Sequence, residues 1–165
     1  RYIKKALAEF AGVGRRLQIF GEVSIDQKKV LVIDDYGHHP REIASTVDAI
    51  RGAWPNRRLV MAYQPHRYTR TRDLFEDFVR TLAHVDELLL LEIYSAGEAV
   101  IEGINSLALC NAVRERGAIE PVFVPNITAL HDALRKIVKT GDLLLLQGAG
   151  DIGTVASGLG AAFNL

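Results

Sequence analysis

Apolar positions along this chain follow two kinds of pattern. Short continuous runs occur at Lys29–Asp34, Leu59–Gln64, Glu87–Glu92, Pro121–Val124 and Asp142–Gln147. They lack the alternation of a half-wet sheet and predict strands buried on both faces. Between them the spacing turns helical. Ile43, Val47, Ile50 and Trp54 fall at i, i+4, i+7 and i+11. Leu74, Phe75, Phe78, Val79 and Leu82 make a second stripe, and Leu130, Ala133, Leu134, Ile137 and Val138 a third. Pro40 suits the first turn of its helix, where a missing N–H costs little. Thr71 and Thr128 are expected as N-caps, and Gly117 and Gly141 as helix stops. Leu17–Ser24 predicts an extra strand, joined to the next by a polar turn around Asp26–Lys28 so short that the pair must be antiparallel.

Alternating strands and helices predict the α/β class. The expectation is a Rossmann-like three-layer domain of about six strands, mostly parallel with one antiparallel edge strand, and helices on both faces. Residues Arg1–Gly14 carry one helical stripe (Ile3, Leu7, Phe10) followed by Gly12-Val13-Gly14. They read as an interdomain linker or the end of a preceding domain, with the domain itself at residues 15–165. The chain starts at Arg1 rather than Met, so a piece of a longer protein is expected.

Composition narrows the class. At 165 residues, 48% hydrophobic and 24% charged, the chain has the size and balance of a soluble globular domain. Lys and Arg (20) equal Asp and Glu (20), which argues against a general nucleic-acid binder. The lone Cys110 precludes an internal disulfide and fits a reducing, cytoplasmic setting; its place on the apolar side of a helix makes it core rather than nucleophile. No apolar run is long enough to span a bilayer, and no signal peptide is visible.

The chemistry gathers where strands end, the edge at which open α/β sheets bind ligands. Asp34-Asp35-Tyr36-Gly37-His38-His39-Pro40 places two carboxylates, a phenol and two imidazoles after one strand. A carboxylate there can accept from a ribose diol or ligate a metal, although this spacing matches no metal motif. Tyr36 can stack on a base or wall a pocket, and His38 can donate to an anion. The plainer reading makes His39 a helix N-cap and leaves Asp34 solvated. Gln64-Pro65-His66-Arg67-Tyr68-Thr69-Arg70-Thr71-Arg72 follows a second strand. Arg67 and Arg70, with free N–H groups at the helix start, suit carboxylate or phosphate; Arg72 reads as solvated. Gln147-Gly148-Ala149-Gly150-Asp151-Ile152-Gly153 has the G-x-G-x-x-G spacing of dinucleotide sites, yet no strand follows its helix, so a nicotinamide- or flavin-binding oxidoreductase module is a distant alternative. The chain has no G-x-x-x-x-G-K-[ST] phosphate loop.

Together with Gly14-Arg15-Arg16-Leu17, these segments resemble the C-terminal domain of the Mur ligases over nearly the whole chain. The resemblance implies an ATP-dependent amide ligase of bacterial peptidoglycan synthesis, active in cell wall biogenesis, cell shape and cell division. The closest pattern is that of members joining L-alanine to UDP-N-acetylmuramate through an acyl phosphate. A related recycling member that adds a whole tripeptide tends to carry Phe and Ala where this chain has Tyr36 and Gly37. Leu17 stands where Phe is expected. ATP is implied as cosubstrate. The phosphate loop, the Mg2+ ligands and a modified lysine are implied in a central domain, and the UDP site in an N-terminal one, so the fragment alone is expected to be inactive and to hold no metal. By resemblance, Arg16, Asp35 and Tyr36 bind ATP, with Asp35 on the ribose hydroxyls. Tyr36, His38, His39, Arg67, Arg70 and the backbone of Gly148, Ala149 and Gly150 face the substrates. No catalytic residue is assigned firmly; Arg67, Arg70 and His38 are the candidates.

Overall fold

The five apolar runs and the segment Leu17–Ser24 all form strands. In the computed structural model, which describes residues 14–163, β1 (Gln18–Ile25), β2 (Lys28–Asp35), β3 (Leu59–Tyr63), β4 (Glu87–Leu91), β5 (Val122–Val124) and β6 (Leu143–Gln147) make one sheet in the order β1-β2-β6-β3-β4-β5. β1 and β2 are antiparallel and the other pairings are parallel. The β1–β2 turn has positive φ at both central residues, Asp26 (50°) and Gln27 (65°). That is the turn whose twist matches a two-residue hairpin. Apart from Gly14, the helical stripe expected over residues 1–14 lies outside the described residues.

Among the described residues, α1 (Pro40–Ala53), α2 (Tyr68–Asp73), α3 (Phe75–Leu82), α4 (Ser106–Glu115) and α5 (Ile127–Ile137) connect the strands, and α6 (Gly153–Phe163) follows β6. Period-two alternation sends the strand residues to two cores. Leu31, Ile33, Met61 and Leu145 pack with Ile43, Val47 and Ile50 of α1, Phe78 and Leu82 of α3, and Cys110 of α4. Val30, Val32, Val60, Leu144 and Leu146 pack with Leu130 and Leu134 of α5 and Val155 and Leu159 of α6. The three-layer expectation holds. Cys110 is a core residue, and burial pushes its thiol up to about 11, leaving it protonated.

The second stripe falls on α3, with Leu74 (φ −117°, ψ 21°) separating it from the short α2. Three local expectations are corrected. Thr71 is not an N-cap. It is buried inside α2 and its hydroxyl donates back to the Arg67 carbonyl at 2.9 Å. Thr128 is displaced as a cap by Asn126, whose side chain accepts from Ala129 N at 2.9 Å. Gly141 (φ 94°) does not stop α5, which ends at Ile137; it turns the chain into β6. Gly117 (φ 72°) does follow the end of α4 as expected.

Register brings the strand ends level. Asp35 pairs with Gln147, Gln147 with Tyr63, and Tyr63 with Leu90. The loops that follow β2, β6, β3 and β4 therefore leave the sheet along a common margin.

Candidate functional site

The two carboxylates at the end of β2 have different surroundings. Asp34 is 1% exposed, so the reading that left it solvated is corrected. Arg15 Nε donates to its Oδ2 at 3.0 Å, and Arg15 Nη2 donates to the Gly148 carbonyl at 2.6 Å. Burial raises the pKa of Asp34; Arg15 opposes that rise, and Asp35 adds to it. Asp35 is also buried. Its Oδ1 accepts from Gly37 N (2.9 Å), Thr46 Oγ1 (3.2 Å) and Gln147 Nε2 (2.8 Å), and its Oδ2 from Leu17 N (2.8 Å). Asp35 therefore ties the domain entrance, the β2–α1 turn, α1 and β6 to one carboxylate. Oδ2, with a single donor, keeps an unused lone pair.

Above this base runs a line of rings. The Tyr36 ring has Arg15 Cζ 5.1 Å and Arg16 Cζ 5.6 Å from its centroid, and His38 lies edge-on at 5.5 Å. His38 is 5.8 Å from His66, which stacks on Tyr94 at 5.5 Å with 14° between planes. The line crosses the ends of β2, β3 and β4. His39 is the N-cap of α1: its Nδ1 accepts from Arg41 N at 3.3 Å. Glu42 completes the capping box, accepting from His38 N (2.9 Å) and His39 N (3.0 Å), with Arg16 at 3.6 Å. Burial pushes the Glu42 pKa up, but these two N–H groups with His38 and Arg16 hold it net below the ordinary value.

The arginine loop is held in a strained form. Arg67 has φ 75° and ψ 135°, a conformation that L side chains rarely adopt. Its N–H donates to the Tyr94 carbonyl at 2.8 Å, and Tyr94 N–H to the Pro65 carbonyl at 2.8 Å. The Arg67 side chain is exposed. Arg70 Nη1 donates to the His66 carbonyl at 2.9 Å and lies 3.2 Å from His66 Nδ1. The expected free N–H groups at this helix start are partly taken. Glu98, from the loop after β4, accepts from Thr69 N (3.0 Å) and Thr69 Oγ1 (2.6 Å). Arg72 reaches only its neighbour Asp73 and is solvated, as expected.

The glycines after β6 serve contacts within the chain. A Cβ on Gly148 (φ 141°) would fall 2.6 Å from the Gln64 carbonyl oxygen. One on Gly150 would run into the side chains of Gln64 and Tyr94, and one on Gly153 into the Arg15 guanidinium. Gln64 completes the lacing, donating to Asp151 (2.6 Å) and accepting from Ile152 N (3.1 Å). The G-x-G-x-x-G spacing here thus admits Gln64, Tyr94 and Arg15.

The margin brings together Arg16, Asp35, Tyr36, His38, Arg67, Arg70, Gly148 and Gly150, and sets His39 to helix capping. Beside Tyr94 opens a cleft of about 300 Å³ lined by Gln64, Glu92, Asn126 and Asp151. A larger groove of about 460 Å³ lies between α1 and α3, away from these motifs, and its Arg51 and Arg80 are paired with Asp86 and Asp77. Sequence reasoning missed Glu42, Tyr94, the Arg15–Asp34 pair and the special place of His66. Glu42 was findable, since an acid three residues after a capping position is a helix-start signature. Tyr94 carried no local signal. Among the described residues, no three His, Cys, Asp or Glu side chains gather as a metal site, and no helix is long and apolar enough to cross a membrane.

The fold has known counterparts. A family model described as "Mur ligase, glutamate ligase domain" matches residues 15–150. Among solved structures, the UDP-N-acetylmuramate-alanine ligase of Thermotoga maritima superposes with a TM-score of 0.74 at 26% identity, covering 96% of this chain and 32% of that one. The murein peptide ligase of Psychrobacter arcticus gives 0.73 at 21% identity, covering 98% and 32%. Folylpolyglutamate synthase of Thermotoga maritima gives 0.61 at 15% identity, covering 98% and 34%. The last two likenesses show the fold alone. The chain spans about a third of the length of each of these proteins. With the family model covering most of its length, the chain belongs to the Mur ligase C-terminal, or glutamate ligase, domain family.

Proposed function

We propose that this domain is the closing lobe of a cytoplasmic bacterial ligase that joins L-alanine to UDP-N-acetylmuramate at the expense of ATP. The observation that carries the reading is the convergence of Arg16, Tyr36, His38, Arg67 and Arg70 on one sheet margin, in a chain of this family. A carboxylate is a poor electrophile, so the muramoyl carboxylate first attacks the γ-phosphorus of ATP, and ADP departs. The alanine amine then attacks the acyl carbonyl and inorganic phosphate leaves. This lobe binds and orients. Arg16 and the Tyr36 ring face the nucleotide, and Asp35 Oδ2 offers its remaining lone pair to a ribose hydroxyl. Arg67 or Arg70 pairs with the alanine carboxylate, which aims the amine, and the other offsets charge on the tetrahedral intermediate. His38 donates to the acyl phosphate. Closure excludes water from an intermediate that hydrolysis would waste. The phosphate-loop and UDP-binding parts, with Mg2+, belong to other domains, so residues 1–165 alone form no amide bond.

A tripeptide-adding recycling ligase is the second reading, favoured by the nearly equal likeness to the murein peptide ligase. Tyr36 and Gly37 favour alanine. A Cβ on Gly37 would stand 2.7 Å from both Asp35 Oδ1 and Gln147 Nε2, so this turn is built around glycine. The test is to incubate the full-length protein with UDP-N-acetylmuramate, ATP, Mg2+ and either L-alanine or the tripeptide, and to weigh the products. Alanine addition is expected. Tripeptide addition alone would install the second reading, and no amide with either would overturn both.

A further inference from the structure

His66 lies at the middle of the ring line and has no role in the reading above. Its Nδ1 is 3.2 Å from Arg70 Nη1, and the same nitrogen donates to the His66 carbonyl at 2.9 Å. A guanidinium is a donor only and does not lose its proton in proteins. The contact is a hydrogen bond only if Nδ1 carries a lone pair. A neutral imidazole with an acceptor at Nδ1 has its proton at Nε2. Among the described residues Nε2 has no hydrogen-bond partner. The ring is oriented by its stack on Tyr94 and by His38 at 5.8 Å.

We propose that Arg70 locks His66 in the neutral Nε2–H form, making it a fixed hydrogen-bond donor to an anionic oxygen of the amino-acid or acyl-phosphate substrate in this crevice. The identity of that oxygen rests on the ligase reading; the tautomer does not. The groups around the ring agree. Burial, Arg70 of α2, His38 of the β2–α1 loop and Arg67 of its own loop all push the His66 pKa below the ordinary value. Glu98 of the β4–α4 loop opposes them, but its carboxylate is engaged by Thr69. A donor that stays neutral keeps its geometry through the pH range in which free histidines gain a charge.

Two measurements test this. Long-range proton–nitrogen NMR of the ¹⁵N-labelled chain reads the protonation of each His66 nitrogen. At pH 6 the spectrum is expected to show Nε2 protonated and Nδ1 bare, and Arg70→Met to allow a second proton onto the ring. A charged ring or an Nδ1–H form in the unmodified chain would overturn the proposal. In the full-length protein, His66→Gln supplies an N–H near the position of Nε2 and cannot titrate. It should keep kcat/KM for alanine within about threefold at both pH 6 and pH 8, whereas His66→Leu should lose about tenfold or more. Equal losses in both variants would also overturn the proposal. If the unmodified protein makes no amide, the ligase reading fails by that result, and the spectrum alone decides the tautomer.

Discussion

Arg15 and Asp34, nineteen positions apart, form an ion pair at 3.0 Å between a partly exposed guanidinium and a buried carboxylate, and the second arm of Arg15 holds the carbonyl of Gly148 at 2.6 Å. One guanidinium thereby joins the domain entrance, the end of β2 and the loop after β6. Asp34 is buried, so its charge depends on that partner. Arg15→Met should destabilise the chain by about 3 kcal/mol, because it leaves a buried carboxylate without compensation. Arg15→Met combined with Asp34→Asn should recover more than half of that loss. Urea unfolding of the two variants measures both quantities, and additive losses would contradict the coupling.

The strained backbone at Arg67 makes a second prediction. At φ 75° a glycine relieves a cost of about 1–3 kcal/mol that any side chain carries, against a lower entropy cost of its own. Arg67→Gly should therefore be more stable than Arg67→Ala by about 1 kcal/mol, read as a higher Tm. Equal stability of the two would mean that the loop relaxes freely.

Gly148 is expected to be intolerant. A methyl there meets a backbone oxygen rather than a movable side chain, and its φ is 141°. Gly148→Ala should cost about 2 kcal/mol or more. Gly158, whose Cβ would meet nothing within 4 Å, is the matched control on α6. Gly158→Ala should be neutral or stabilising, since alanine is the better helix former.

Acid stability should depend on Glu42. Its folded pKa lies below the unfolded value of about 4.5. A carboxyl with a lowered folded pKa contributes stability above the unfolded pKa and loses it as pH falls through the folded one. Asp86, bonded to Arg51 and Leu59 N, acts in the same direction. Asp34 opposes both, because its folded pKa is raised. Tm should fall as pH drops below about 4.5, and Glu42→Gln should flatten that descent. An unchanged slope in the variant would remove Glu42 from the account.

These residues also show what local pattern can and cannot carry. Strands β2 to β6 were legible because each is built on a continuous apolar run, and the β1–β2 hairpin because a short polar turn leaves no room for a crossover. The order β1-β2-β6-β3-β4-β5 was not, since crossover length does not say beside which strand a chain returns. The short helix α2 before Leu74 was hidden because no apolar stripe runs through Tyr68–Asp73. That Tyr36, His38, Arg67 and Arg70 gather along one sheet margin was legible, because polar groups crowd after buried strands. The partner of Asp34, the Glu98 carboxylate on Thr69 and the stack of Tyr94 on His66 arise from tertiary register, and no sequence spacing announces them.

The central claim is that the rim divides its work between nucleotide and amino acid. Arg16 and Arg67 are its cleanest probes, because both are exposed, whereas Asp35 also holds the fold together. Steady-state kinetics of the full-length protein should show Arg67→Ala raising KM for L-alanine about tenfold or more with KM for ATP nearly unchanged, and Arg16→Ala doing the reverse. Equal effects of both variants on both substrates would contradict the account.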